Sequence, residues 1–266
     1  MKIFDCITFY DENFLVNSRF EILNDVVDYF VIVESKYDHQ GRKKKLNFKL
    51  INKKFKKKIR YILYDEAELS FYKGWEAEKL QREKLFDGLS DAKDNDLVLF
   101  SDSDEIPNPT ILKNINLDKK YAIFMQKFFV YKLNIFNKHE SPWEGTRVCK
   151  KKHLKSFTFL RKKVLKKNLE KAFWKINIEK NIKIFNNGGW HFNNLYPIKT
   201  ISKKLKASPH QEFNKSKYYS EKNIKKRILN LEDLYERNHS YDKVKIDKTY
   251  PQYFQKNIKK IKNYIL

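Results

Sequence analysis

Four short apolar runs separated by segments with helical spacing fill the first hundred residues, and this alternation limits the folds open to the chain. Residues 2–8 (KIFDCIT), 29–34 (YFVIVE), 60–64 (RYILY) and 97–100 (LVLF) read as strands, being short, bounded and rich in β-branched or aromatic side chains. Between them, Val16, Phe20 and Leu23 recur at i, i+4 and i+7, which predicts an amphipathic helix after Asp11 and Glu12. Phe48, Ile51 and Phe55 pace a Lys-rich helix around 48–58, and a further helix is expected at about 75–90. Such βα units bury their apolar faces best on a largely parallel sheet flanked by helices, so the expected fold class is α/β.

Further along, Pro107 and Pro109 set a helix start near 109–115, and residues 121–133 read as another long strand. Beyond residue 140 the pattern degrades. Residues 150–183 hold 13 Lys or Arg against Glu170 and Glu179, which predicts an exposed surface pinned to the core by Phe157, Phe159, Phe173 and Trp174. There is no repeat and no Gly/Ser- or Pro-rich linker, so residues 1–266 are expected to form one domain with a C-terminal helical extension.

With 41% hydrophobic and 15% aromatic residues the chain has enough apolar surface to fold as a globule despite its charge. The basic excess, 57 Lys and Arg against 33 Asp and Glu, gives +24 and at face value points to a polyanion. Arginine, the side chain suited to bidentate phosphate and base-edge contacts, supplies only eight of the 57. Abundant Lys, Asn and Ile with little Gly, Pro and Ala is also what AT-rich coding produces, so no nucleic acid partner is expected. The same basic surface is compatible with peripheral contact with an anionic membrane. Cys6 and Cys149 form neither a disulfide framework nor a metal-spaced cluster, which favours a reducing compartment. The N-terminus carries Asp5 and lacks an uninterrupted apolar core, and no stretch approaches the ~18 apolar residues of a membrane span. A cytoplasmic protein, soluble or peripheral, is the expectation.

The most informative string is LVLFSDSDEIPNP, an apolar strand running straight into Ser101, Asp102, Ser103, Asp104 and Glu105. Three carboxylates within four residues repel one another unless a positive group compensates. A hard divalent cation, Mn²⁺ or Mg²⁺, would do so through carboxylate oxygens, and the carboxyl edge of a parallel sheet is where ligands bind in such folds. The plainer alternative makes Asp and Ser the cap of the helix after Pro107, although a cap needs one acid and this turn has three. A P-loop is excluded because no GxxxxGK[ST] occurs and the chain has only six Gly. Two rivals stand: a haloacid-dehalogenase-like Mg²⁺-dependent phosphatase, whose DxD also follows a strand, and a basic nucleic-acid-binding protein. Against the first, Ile106 stands where that motif carries Thr or Val.

In order along the chain, DCITFYDE at 5–12, DVVDYFVIVES at 25–35, GWEAEKLQR at 74–82, SDSDEIP at 101–107, GGWHF at 188–192 and, more weakly, YPQYFQKN at 250–257 give a sequence that resembles glycosyltransferase family 17, the β-1,4-mannosyl-glycoprotein β-1,4-N-acetylglucosaminyltransferases. DxD alone is weak, whereas the ordered set is specific. The resemblance implies a GT-A-like fold, a UDP-N-acetylglucosamine donor, a divalent metal, inversion at the anomeric carbon and a glycan or glycoconjugate acceptor. It divides the chain into a nucleotide-sugar half at about 1–135 and an acceptor and C-terminal half at about 136–266. The family's animal members carry a membrane anchor, whereas this chain begins at the first strand, so its acceptor is left open.

On that reading Asp104 is expected to ligate the metal at the catalytic centre and Asp102 to contact the metal or the ribose. His191 is the candidate third ligand, since the two glycines of GGWHF permit close backbone approach. Thr8, Phe9, Glu12 and Glu34 at the first two strand ends are candidates for base and ribose. Trp75, Glu78 and Arg82 share one helical face, from which Arg82 could reach the donor diphosphate. Arg147 is a further donor-binding or acceptor-binding candidate. An inverting transfer needs a carboxylate to take the acceptor's proton. Glu212, beside His210, is preferred for this and Glu144 is the alternative.

Overall fold

The structure is a computed structural model and describes residues 1–207 and 215–266. The first half forms the expected βα units: β1 (Ile3–Phe9), α1 (Asn13–Leu23), β2 (Tyr29–Ser35), β3 (Ile59–Tyr64), α2 (Trp75–Glu83) and β4 (Leu97–Asp102). These strands run parallel in the order β3-β2-β1-β4. After β4 come β5 (Glu105–Pro107), α3 (Pro109–Lys113), β6 (Tyr121–Val130), β7 (Ile135–Phe136), β8 (Trp143–Lys150), α4 (Phe157–Lys163) and β9 (Ile182–Asn193). Beyond β4 the sheet turns mixed: β8 lies antiparallel between β4 and β6, while β9 pairs parallel with β6 and antiparallel with β5. The parallel half and the antiparallel half are therefore one continuous sheet.

Both faces of the sheet are covered along its central strands, which is why β1, β2 and β4 read as near-continuous apolar runs. Successive residues of β1 point to opposite faces, so Ile3, Ile7 and Phe9 join one core cluster and Phe4 and Cys6 the other. A third cluster lies under the C-terminal extension, where Ile201, Leu205, Ile224 and Ile228 pack on Phe128, Val130 and Tyr131. They belong to α5 (Ile198–Ala207) and α7 (Glu221–Leu229), with the short α6 (Ser216–Tyr219) between. The chain ends through β10 (Asp242–Lys243), α8 (Gln252–Lys256) and α9 (Ile258–Ile261). Among the described residues no helix is long and apolar enough to cross a membrane.

Four local expectations are corrected. Residues 48–52 are not helical, because the backbone N–H groups of Asn47 and Phe48 donate to Glu34 and those of Lys49 and Ile51 donate to Asn13 and Asn17. Side chains of α1 and β2 thus satisfy this backbone, and only a short 3-10 stretch, Lys53–Lys58, follows. The helix expected to about 90 ends as α2 at Glu83 and tightens to a 3-10 stretch, Lys84–Leu89. Gly88 in that stretch sits so close to β2 that an added Cβ would fall 2.3 Å from Val31. Strand β6 stops at Val130 because Tyr131 takes a positive φ of 62°. Finally, Phe157 is buried but Phe173 and Trp174 are exposed and pin nothing.

Beneath the start of the acidic turn lies a fully buried ion pair. The Arg19 guanidinium on α1 grips both oxygens of Asp5 on β1 at 2.5 Å and also donates to Ser101 Oγ and to the carbonyl of Glu105. One cation therefore ties α1, β1, β4 and β5 together at the point where β4 gives way to the turn.

Candidate functional site

At the carboxyl ends of β1, β2 and β4 the structure opens a cavity of about 450 Å³, within the range of small-ligand sites. Its floor is the acidic turn. Asp102 ends β4, Ser103 and Asp104 make the turn, and Glu105 begins β5.

Strand pairing brings His191 to this turn across nearly ninety positions of sequence. Glu105 on β5 stands opposite His191 on β9, and the Phe192 N–H donates to the Asp104 carbonyl at 2.8 Å. The two preceding glycines make the approach possible: a Cβ on Gly189 would lie 2.1 Å from the Ile106 carbonyl oxygen, and one on Gly188 2.7 Å from the backbone of Phe124 and Met125. His191 Nε2 lies 3.4 Å from Asp104 Oδ1. Its ring stacks on Phe128 at 4.3 Å and lies 4.9 Å from Trp143, while its buried Nδ1 has no hydrogen-bond partner among the described residues. Burial works to raise the Asp104 pKa, but the charge and hydrogen bond of His191 and the charge of Lys204 more than offset it, holding the carboxyl at about 2.

The other two acids of the turn are compensated by a residue the sequence reading missed. Arg161 on α4 lies 2.5 Å from Asp102 Oδ2 and 2.9 Å from Glu105 Oε1, and Trp143 Nε1 donates to the same Glu105 oxygen at 2.8 Å. Burial opposes the Arg161 charge, yet Asp102 and Glu105 raise its pKa above the ordinary guanidinium value. Asp104 is left facing the cavity beside His191. That pair offers one oxygen and one nitrogen donor, and among the described residues no group of three His, Cys, Asp or Glu side chains is gathered for a metal. Helix capping does not explain the turn: the α3 cap is Asn108, whose side chain accepts from the Thr110 N–H at 3.0 Å.

Around the walls, Thr8, Phe9, Glu12, Trp75, Glu78 and Arg82 all line the cavity with Asp102, Asp104 and His191. Arg82 pairs with Glu78 one turn earlier on α2 and lies over the Phe100 ring. Glu12 accepts from the backbone N–H groups of Tyr10 and Asp11 and from the Tyr196 hydroxyl, with Lys204 Nζ at 3.5 Å. Burial beside Glu12 pushes the Tyr196 pKa well up.

Two donor-site expectations fall outside this cavity. Glu34 is buried beneath the 44–48 segment and accepts from Lys44 Nζ, the N–H groups of Asn47 and Phe48 and the Tyr61 hydroxyl. Its acceptor capacity is used in fixing that loop. Arg147 donates to the carbonyls of Glu144 and Gly145 and, with Glu144, lines a second hollow that adjoins the cavity through Trp143 and Arg161. Burial and the nearby Arg161 charge lower the Arg147 pKa to about 10. Glu212 and His210 lie outside the described residues.

Besides Arg161, the unanticipated cavity residues include Tyr10, Asp38, His39, Gln81, Lys162 and Lys204. Gln81 is hydrogen-bonded to His39 Nε2 at 3.0 Å, and Lys162 Nζ sits 4.1 Å over Trp75. One signal was present in the sequence: Arg161 is the single arginine among the 13 basic residues of 150–183. The others carry no mark that separates them from surface residues.

Residues 1–248 match the family described as Glycosyltransferase family 17. None of the curated proteins matches the chain. Among solved structures, glucosyl-3-phosphoglycerate synthase from Mycobacterium tuberculosis, in complex with Mn²⁺ and uridine-diphosphate-glucose, overlays at a TM-score of 0.38 and 12% identity over 77% of this chain and 78% of that one. A glycosyltransferase involved in glycosylation of the major capsid of PBCV-1 gives 0.32 and 13% over 70% and 82%. The inositol-1-phosphate CTP transferase from T. maritima gives 0.34 and 12% over 84% and 96%.

Proposed function

Because the chain belongs to glycosyltransferase family 17, and is thereby a glycosyltransferase, we propose that it transfers N-acetylglucosamine from UDP-N-acetylglucosamine to a glycan or glycoconjugate acceptor with inversion, in a metal-dependent reaction. The observation that carries this reading is Asp104, ionised and paired with His191 on the floor of a cavity whose walls hold Arg82, Arg161, Lys162 and Lys204. Among the described residues five Lys or Arg and five carboxylates line this cavity, so a bound diphosphate meets positive charge close to an acidic turn.

Asp104 and His191 fit a divalent cation, Mn²⁺ or Mg²⁺, as one hard oxygen and one imidazole donor, with the rest of the shell left to donor oxygens. When bound, that ion supplies Lewis-acid stabilisation of the charge that develops on the departing diphosphate. Asp102, whose carboxylate Arg161 holds, is assigned to the ribose or to the outer shell of the ion. Arg82 and Arg161 neutralise the diphosphate from the α2 and α4 sides. Thr8 and Phe9 at the end of β1, with His39 and Gln81, line the side assigned to uridine. The Trp143 ring packs 4.9 Å from the His191 ring and helps fix its orientation. Glu212, beside His210 between α5 and α6 in the sequence, is kept as the base that accepts the acceptor's proton.

Calorimetric titration with UDP-N-acetylglucosamine, with and without Mn²⁺, tests the assignment. Metal-dependent binding that is lost in Asp104→Ala and exceeds that of UDP-glucose and UDP-galactose is expected. Folded protein that binds none of these with Mn²⁺ present would refute the donor assignment.

A further inference from the structure

The segment between α4 and β9 carries an apolar tip that the active site does not use. Phe173, Trp174 and Ile176 are 85%, 68% and 87% exposed, three large apolar side chains within four residues on the outside of the molecule. The loop is braced. Asn168, itself buried, donates to the carbonyls of Lys163 and Glu179 at 2.7 and 3.0 Å and so closes its base. Near the tip the Lys175 N–H donates to the Ala172 carbonyl and the Ile176 N–H to that of Trp174, while the Phe173 and Trp174 rings meet edge to face at 5.1 Å. Backbone and base are held in shape while the side chains project into water.

Exposure of this kind is costly in water and marks an interaction surface. What surrounds the tip identifies the partner. Lys166, Lys167, Lys171 and Lys175 are exposed on the same segment, and only Glu170 and Glu179 oppose them between residues 150 and 183. A second copy of the chain would bring this lysine cluster against itself, because a two-fold interface pairs like with like. A nucleic acid would be gripped by lysines and stacked on rings, but Ile176, the most exposed of the three at 87%, has no face to stack. An anionic bilayer satisfies all of it: aliphatic and aromatic groups enter the acyl boundary, the indole suits the interface, and lysines stay at the headgroups.

We infer that the 171–178 loop is a membrane-docking tip that inserts Phe173, Trp174 and Ile176 into the surface of an anionic lipid bilayer. The base of the segment, Leu165 and Lys167, lines the hollow adjoining the cavity, so the docking element and the acceptor side belong to one stretch of chain. The inference does not depend on which nucleotide sugar is the donor.

The test is co-sedimentation of the full chain with phosphatidylcholine vesicles containing or lacking phosphatidylglycerol, together with quenching of tryptophan fluorescence by brominated lipid. Binding to the anionic vesicles alone is expected, with quenching that disappears in Trp174→Phe. The triple variant Phe173→Ser, Trp174→Ser, Ile176→Ser should weaken binding on the order of a hundredfold. Lys171→Glu with Lys175→Glu should weaken it by roughly tenfold or more and flatten its salt dependence. An unchanged far-ultraviolet circular dichroism spectrum and urea midpoint in all these variants report that the fold survives and keep this test separate from the donor assignment. The inference is overturned by absence of vesicle binding, by full binding of the triple variant, by a change of oligomeric state when the tip is removed, or by preference for single-stranded nucleic acid over anionic vesicles.

Discussion

The parallel half of the sheet and the antiparallel half contribute to one site in different ways. Strands β1 and β4 with α2 deliver Thr8, Phe9, Arg82, Asp102 and, just past β4, Asp104 within the first 104 residues, at the ends of elements that the hydrophobic pattern already marks. The antiparallel half delivers Trp143, Arg161 and His191 from β8, α4 and β9, elements with little pattern of their own. The acidic turn is local and the groups that compensate it are not. In a site of this kind, sequence displays the charge that needs a partner, and topology chooses the partner.

If that division is right, the parallel half should fail first when its buried ion pair is broken. Arg19→Ala strands Asp5 without its partner and should cost about 3–5 kcal/mol of stability, read as a lower urea midpoint with unchanged slope. A loss below about 1 kcal/mol would mean that the β4-to-turn junction is held by other contacts.

Asp104→Ala should cost about 1–3 kcal/mol of stability, because buried His191 loses its carboxylate partner, while lowering transfer by about a thousandfold or more. Equal loss of stability and activity would make Asp104 a structural partner of His191 rather than the centre of the site.

Arg161→Gln probes the antiparallel contribution. Removing the cation that bridges Asp102 and Glu105 should weaken UDP-sugar binding by roughly ten- to hundredfold, and added salt should narrow the gap between variant and wild type. Unchanged donor affinity would confine Arg161 to holding the turn.

The smallest effect belongs to the C-terminal extension. Burial raises the Asp233 pKa, but hydrogen bonds from Arg237 and Tyr241 more than offset it, so the folded value is depressed. A depressed carboxyl stabilises the fold above its unfolded pKa, near 3.9, and that contribution is lost as pH falls through the lower folded value. Asp233→Asn should therefore cost about 1–2 kcal/mol at neutral pH and progressively less in acid, measured as a difference in melting temperature. A difference independent of pH would show that packing around Tyr241, not charge, holds the extension.

Much of the parallel half was legible because β1, β2 and β4 are buried on both faces and so read as apolar runs. The helix expected around 48–58 fails inside it: Phe48, Ile51 and Phe55 have helical spacing, but Glu34, Asn13 and Asn17 offer the backbone of 47–51 better partners than a helix would. Glu34 has the position of a nucleotide contact because it lies near the end of a strand, yet tertiary packing commits it to the loop that it anchors. In the basic segment, composition told surface from core correctly but assigned Phe173 and Trp174 to the wrong side. An aromatic residue in an irregular loop carries no period from which its direction can be read.

By itself the sequence determined the βα order, the acidic turn at the end of β4, the two glycines that admit β9 and the family to which the chain belongs. Those features are short-range, written in neighbouring residues and in the periods of strand and helix. Only the tertiary structure decided that His191 stands beside Asp104, that Arg161 holds Asp102, that Glu34 and Arg147 are turned away from the cavity, and that an apolar tip stands in water. The first two depend on strand register and helix placement, since a pairing across about 50 or more residues leaves no local trace, and the others on which partner an irregular segment offers, which has no period to read.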